Sequence, residues 1–482
     1  MTNLTQAARL VRQAPRPLAS PSAGMVLSGR NTRPLWFDGR FLAACDLKRE
    51  QNYFLQRQAE LGQAGGFGVL HGLLVDQGAT IAQPASGETI VIHAGVGITP
   101  AGSLVMIPSD LTIQLSDLAD EENLEVQFGL STAPQQPART RTGVYVVALR
   151  PVEFTANPVT SYPAAIQAPR VTQDGDIVEA TAVSLVAYPN PVNGYDTSLQ
   201  QAALARQIFA TGNSGALSDS LLPLAMIGID RNAIQWIDTY LVRRDSGPQY
   251  SGVRPGLTDP ATQQAFLKQY DAQLQAVVAS RPAGSKANFP ATDYFQALPP
   301  AGRLPLDAVD TVGLTQIFFP QQMNVQLSII PADELPAVIE EGLSLPPIDL
   351  TLPSSTYANI AVFVLIPVPR ENFTALSVSL AQTQLNPALP QTLAASAANP
   401  LLQLFQNRPV LAAPISAAAN PWAAAIGGQT YGFYLRRRSE PVFADFAIPT
   451  FPPAPTTTAA PPASTPAPAP TTTAPPTTTA KS

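Results

Sequence analysis

The chain has 482 residues, enough for two to four domains with a core each. Charged residues are only 13% of it and the net charge is −6, so no basic field is available to neutralise phosphates, and nucleic-acid binding is disfavoured. A surface this short of charge is covered by Gln, Asn, Ser, Thr, Ala and Pro; it is weakly hydrated and easily buried against a neighbour, which leans towards assembly, although a genome rich in Ala, Pro and Arg codons would give the same composition.

Residues 1–34 carry five arginines and no acid, broken by Pro15, Pro17 and Pro21, and read as a flexible, disordered N-terminal arm. The start has no apolar h-region and no run of 18 apolar residues follows anywhere, so neither a signal peptide nor a transmembrane segment is expected. Cys45 is the sole cysteine; an intrachain disulfide is impossible, which suits a reducing cytoplasm.

Order is expected to begin at Leu35. Asp38-Gly39 is a turn dipeptide flanked by Trp36-Phe37 and Arg40-Phe41-Leu42. Asp46 is placed to cap a helix running to about Leu61, on which Leu47, Gln51, Phe54, Gln58 and Leu61 are spaced 4-3-4-3 and share one face. Two glutamines make that face too polar for a core seam; it reads as partly buried, or as a subunit contact where amides pair. Gly66, Gly68 and Gly72 supply positive-φ or close-approach positions where the helix gives way to a strand. IVIHAGVGI (90–98) and LVMIP (104–108) then read as paired strands.

Further on, VYVVALRPVEF (144–154) and TAVSLVAY (181–188) are β-branched strand signals. A helix at about 197–210 precedes LPLAMIGIDRNAIQWIDTYLVRR (222–244), in which Asp230-Arg231-Asn232 turns between two strands. Asp259-Pro260 opens a helix in the order cap then proline, with Phe266, Leu267, Tyr270, Leu274, Val277 and Val278 as its apolar face. Strands near 316–330, 360–368 and 430–437 and helices near 333–342 and 399–406 follow. Arg436, Arg437 and Arg438 read as a solvated strand end. From Pro449 the chain is almost wholly Pro, Thr and Ala, an extended, disordered tail. The resulting organisation is a 1–34 arm, an attachment domain over 35–126, a β-rich domain over 140–257, an α+β domain over 258–448 and a 449–482 tail. The fold class is α+β, β-rich and multidomain, with short antiparallel strands and a few amphipathic helices.

Chemistry is hard to find. His71, in a glycine turn, and His93, in an alternating strand, are the two histidines and sit in no catalytic motif. One cysteine and two scattered histidines do not make a zinc site. Gly66-Phe67-Gly68 runs helix to strand, whereas a phosphate-binding turn runs strand to helix. The acidic groups Asp120-Glu121-Glu122, Asp333-Glu334 and Glu340-Glu341 are adjacent along exposed segments, not opposed across a cleft. No catalytic residue, metal or cofactor is expected.

WFDGRFLAACDLKREQNYFLQRQAELGQAGGFGVLHGL (36–73) resembles the opening of baseplate-associated proteins of phage-tail-like contractile injection systems. The matching residues are Phe37, Asp38, Gly39, Leu42, Asp46, Glu50, Gln51, Tyr53, Phe54, Gly66, Gly68, Val69, Gly72 and Leu73. More loosely, the stretch is similar to the N-terminal region of the type VI secretion baseplate connector, and so to the shoulder domain of phage receptor-binding proteins. LPLAMIGIDRNAIQWIDTYLVRR, LPPAGRLPLD (298–307), FFPQQMNVQLSIIPADELPAVIEEGL and IPVPREN extend the likeness over much of 36–375; Gly65 and Phe67 depart from it, standing where a His and a Trp are expected. The resemblance implies a non-catalytic structural or connector subunit with other baseplate or tail proteins as partners, forming a homo-oligomer, with a trimer as one form. It would act in the bacterial cytoplasm within a particle, or be released with it, without inserting in a membrane. Trp36, Phe37, Phe41, Tyr53 and Phe54 would build the core or the contact face of its attachment module. A receptor- or glycan-binding module is the alternative, and a hydrolase the remotest one.

Overall fold

The computed structural model describes residues 33–78, 89–118, 140–160, 170–189, 197–213, 215, 217–247, 259–281, 289–310, 315–320, 323–357, 359–381, 394–396 and 421–437. All of these lie in one compact unit, Met1–Ser439. The expected N-terminal arm before residue 33, the helix near 399–406, the Asp120-Glu121-Glu122 group, Arg438 and the Pro/Thr/Ala tail fall outside them.

Asp38-Gly39 does turn the chain: Gly39 takes φ +86°, and the Arg40 amide donates to the Phe37 carbonyl at 3.1 Å. The flanking residues are not strands. Helix α1 (Ala44–Ala64) follows, with Ala43 as its N-cap and no side chain capping it. Asp46 is therefore not the cap. It sits inside the first turn, where a carboxylate still meets the positive end of the helix dipole.

Strands β1 (Gly68–Gly72), β2 (Val75–Gln77), β3 (Thr89–Ile92), β4 (Gly95–Ile98), β5 (Leu104–Ile107) and β6 (Leu111–Gln114) form two small antiparallel sheets, ordered β1-β4-β5 and β2-β3-β6. The run 90–98 is thus two strands. His93 lies in the break between them rather than within an alternating strand, and His71 lies on β1, not in a turn. Gly66, Gly68 and Gly72 all take positive φ, as expected. At Gly72 the reason is contact, since a Cβ there would strike the Ala94 carbonyl.

The central sheet is β10-β9-β7-β8, built from β7 (Gly143–Thr160), β8 (Thr172–Tyr188), β9 (Leu222–Asp230) and β10 (Ala233–Asp238), all antiparallel. Its strands alternate between two cores. Val147 and Leu149 of β7 join Ile227 and Ile229 of β9 against Val69, Leu73, Ile90 and Ile92 of the small sheets. Val144, Val146 and Ala148 face the opposite way, with Met226 and Trp236, onto helix α2 (Thr197–Ala205) and its π-turn Arg206–Ala210. The first core joins residues on both sides of the boundary expected near residue 126, and the second joins residues on both sides of that near 258. β7 and β8 pair from Val144↔Tyr188 to Thr160↔Thr172, whereas β9 accompanies β7 only as far as Leu149. Beyond that point the hairpin is a two-stranded ribbon, much longer than the strands predicted. Its outer residues Thr155, Asn157, Asp174 and Asp176 are polar and carry no core pattern.

Helix α3 (Pro260–Ser280) starts as predicted: Asp259 accepts from the Thr262 amide and proline follows it. Next come β11 (Ala297–Leu298), β12 (Ala301–Pro305), β13 (Val309–Asp310), β14 (Thr315–Gln316), β15 (Asn324–Pro331), α4 (Leu335–Leu343), β16 (Ile348–Asp349), α5 (Ser354–Tyr357), β17 (Ala361–Val368), α6 (Arg370–Ala381), β18 (Ala394–Ser396), α7 (Pro421–Ile426) and β19 (Tyr431–Arg437). The expected α+β class with antiparallel sheets holds, and the five-stranded sheet β12-β19-β17-β15-β18 adds parallel pairs, of β15 with β17 and β18. AVFVLIPV shows why. A near-continuous apolar run is what a strand covered on both faces needs. Val362, Val364 and Ile366 pack with Tyr270, Leu274 and Trp422 on one side, Phe363 and Leu365 with Val338 and Leu343 of α4 on the other.

Candidate docking surface

The residues that match the attachment pattern separate into an exposed outer part and a rooted inner part. In the outer part, Arg40 folds the aromatic turn back onto α1. Its guanidinium donates to the Leu35 carbonyl at 2.6 Å and to Asp46 at 2.8 Å, and lies over the Trp36 ring at 5.1 Å. The Trp36 indole N–H donates to Glu50 at 3.1 Å. Trp36, Asp46 and Glu50, far apart in sequence, are thereby brought into one clasp. It holds the turn but does not bury it: Phe41 is 94% exposed, and Leu35, Trp36, Phe37 and Leu42 are all exposed.

α1 itself has no buried residue along its 21 positions. Gln51 and Phe54 are exposed, with Leu47, Leu55 and Leu61, and Tyr53 is half-buried, its ring meeting Phe54 edge-on and carrying Arg57 over its face. The aromatic residues are thus not the core of this module, and the partial burial expected for the 4-3-4-3 face is not found. What holds α1 is its C-terminal end. Gly62 and Gly102 meet so closely that a Cβ on Gly62 would strike the Gly102 carbonyl and one on Gly102 the Ala59 carbonyl. Gln63 adds a bond to the Pro100 carbonyl at 3.4 Å.

The inner part is tied to the central sheet. The Val69 amide donates to the Arg244 carbonyl and the Ser246 amide to the Val69 carbonyl, both at 2.8 Å. A Cβ at Gly68 would collide with that same Arg244 carbonyl, which is why glycine stands there. The buried Arg243 guanidinium donates to the carbonyls of Leu73 (2.8 Å) and Gly72 (2.9 Å) and pairs with Asp245 at 2.9 Å. Asp245 also takes Lys268 of α3 at 2.7 Å. Burial alone would raise the Asp245 pKa, but these two cations outweigh it and hold it low. Arg243, Ser246, Gly62 and Gly102 are site residues that sequence reasoning missed. Each acts on a segment far along the chain, and no local pattern marks it.

Among the described residues, the histidine and carboxylate groups singled out in the sequence are engaged in hydrogen bonds and ion pairs or stand exposed. His93 is held between Asp76 and Asp110, both at 2.9 Å, and these bonds, Asp76's first, raise its pKa; the Ala94 amide and then His93 lower that of Asp110. Both ring nitrogens already face a carboxylate, so the cluster ties three strand ends together. Asp333 and Glu334 pair with Arg370, both at 2.7 Å, and Glu340 and Glu341 are exposed on α4. Among the described residues no group of three or more His, Cys, Asp or Glu is arranged to hold a metal ion, and no helix is long and apolar enough to cross a membrane. Arg436 and Arg437 are not a solvated strand end: Arg436 donates to the carbonyls of Pro346 and Pro347, and Arg437 is buried against Gln326 and the Phe363 ring. Burial lowers both pKa values.

No protein-family model matches the sequence, and no curated protein is similar to it. Among the solved structures that match, three are similar over about half of the chain. A crystal structure of TssK is 16% identical with a TM-score of 0.23, covering 53% of this chain and 51% of that one. The baseplate complex from the type VI secretion system is 12% identical at 0.21, covering 53% and 71%. The TssK-TssF-TssG baseplate subcomplex of that system, solved by cryo-electron microscopy, is 12% identical at 0.20, covering 52% and 72%. The chain spans about half the length of the first of these. Scores this low do not establish a shared fold.

Proposed function

We propose that this chain is a non-catalytic structural subunit in the baseplate region of a contractile injection particle, held against other baseplate or tail proteins by its aromatic turn and the start of α1. One observation carries the reading: a turn bonded to α1 that leaves Leu35, Phe37, Phe41 and Leu42 exposed. The Arg40 and Glu50 bonds hold the turn with these side chains pointing away from the rest of the fold. Large apolar groups presented in this way mark a protein contact. The same clasp explains why charged residues belong to the pattern, as they set the turn and leave the contact to its neighbours. The two histidines support the non-catalytic part, since His93 is engaged on both sides and His71 lies on an open strand face.

The test is co-sedimentation from cells that make such particles. The wild-type chain should pellet with the particles, and the double variant Phe37→Ser, Phe41→Ser should stay in the supernatant with an unchanged melting temperature. Pelleting of the variant at the wild-type level would remove the docking role.

A further inference from the structure

Two arginines are buried among the described residues, and their surroundings differ. The Arg243 guanidinium has two backbone carbonyls and the Asp245 carboxylate as acceptors. The Arg437 side chain, in a residue only 2% exposed, has one hydrogen-bond partner: its Nη1 donates to Oε1 of Gln326 at 3.0 Å. Its Nε and Nη2 are buried without a partner, and so is Nε2 of Gln326, which is also 2% exposed. The Phe363 ring, its centroid 5.1 Å from the guanidinium carbon, attracts the cation but does not replace these bonds. Burial pushes the Arg437 pKa down, and among the described residues no carboxylate opposes it. A guanidinium taken out of water without a counter-charge is strongly unfavourable, and orphan donors of this kind call for an acceptor.

The free donors have a defined geometry. Nε and Nη2 lie along one edge of the guanidinium, and their parallel N–H bonds match the two oxygens of a carboxylate. That edge is filled elsewhere in this chain, where Nε and Nη2 of Arg206 both meet Asp349 at 3.0 Å. We propose that Arg437 and Gln326 form an anion site, in which a carboxylate-bearing ligand lies along the Nε and Nη2 edge and takes a third bond from Nε2 of Gln326. One negative charge then meets one buried positive charge. A phosphate would bring more charge and more oxygens than three donor groups beside an aromatic ring can satisfy. Arg437 ends β19 and pairs with Ala361, the first residue of β17, while Gln326 pairs with Ala394, the first of β18. The site therefore lies at one end of the five-stranded sheet, the side from which a ligand enters. The inference goes beyond the baseplate reading and does not rest on it.

Melts of the purified full chain, with chloride exchanged for acetate at constant pH and ionic strength, test it. Acetate should raise the melting temperature saturably, by about 1–3 °C at a tenfold excess over its Kd. Arg437→Lys keeps the charge but loses the fork, and should weaken the acetate response about tenfold or more. Gln326→Glu supplies a carboxylate from within. It should raise the melting temperature in chloride and abolish the acetate response, a gain that misfolding cannot mimic. N-acetylglutamate amide separates two sources of the ligand. A response equal to that of acetate marks a side-chain carboxylate of another protein, and a response to acetate alone marks a free small carboxylate. Three results would each overturn the site: no effect of acetate, an acetate response that Arg437→Lys leaves intact, or a Gln326→Glu chain no more stable than wild type in chloride. An equal response to inorganic phosphate would overturn the choice of carboxylate.

Discussion

α1 and α3 are both 21 residues long, yet α1 buries none of them and α3 buries eight. Both carry aromatic, aliphatic and glutamine side chains on one face, so composition does not separate them. The glutamines do. In α3, Gln269 and Gln273 are buried: Gln269 donates to Asp238 at 3.1 Å and to Gln273 at 2.9 Å, and Gln273 donates to the Tyr294 carbonyl at 3.2 Å. An amide taken out of water must find partners of this kind. α3 has its partners within the fold, whereas the α1 face is still in water. The comparison teaches that an amide-containing helix seam is a place for contact, and that the position of its partners decides whether the contact is internal or between molecules.

The largest test of the contrast is truncation. Phe266 of α3 stacks on Phe209 at 4.5 Å in a closed core, so Phe266→Ala should cost about 3–5 kcal/mol in a denaturant melt. The matching Phe54→Ala in α1 should cost roughly 0.5 kcal/mol or less, measured on the dilute chain. Equal losses would mean that α1 is already packed.

The next effect reads the buried amide network of α3. Asp238, turned inward to Gln269 and the Tyr240 and Leu241 amides, has its pKa raised to about 6 by burial, against the opposing pull of those bonds. The folded protein therefore holds this proton more tightly than the unfolded chain. The stability it adds is complete below the usual carboxylate range and is lost as pH rises through about 6, a fall on the order of 2–3 kcal/mol. Melts from pH 4 to 8 should show that decline, and Asp238→Asn should flatten it. Smaller still, Asp259→Ala should cost about 1 kcal/mol by removing the cap of α3. The smallest global effect belongs to Gly102→Ala. It should release the C-terminal end of α1, speeding amide exchange over residues 44–64 while leaving the overall melting temperature nearly in place.

Local signals made much of this legible in sequence. The Asp259-Pro260 start of α3 and the 4-3-4-3 face of α1 could be read directly. So could the turn at Asp230-Arg231-Asn232, where Arg231 and Asn232 both take positive φ. The failures are non-local. Nothing beside Arg243 says that it will bond carbonyls of residues 72 and 73, and nothing in Gly102 names Gly62 as its neighbour. The arginines at 436 and 437 look solvated until the sheet and the Pro346-Pro347 carbonyls close round them. At the candidate docking surface the residue types were legible, but their exposure was not. A tryptophan and three phenylalanines read as core in any chain, and only the fold shows them turned outwards.

The most direct test of the proposed surface role is hydrogen exchange over residues 35–64, compared between the dilute, purified chain and the chain recovered with the proposed particle. Exchange in the free chain should be fast along the outer face of α1 and should slow markedly on assembly, while residues 260–280 of α3 stay protected in both states. Unchanged exchange over 35–64 on assembly would contradict the account, since this surface would then be meeting no partner.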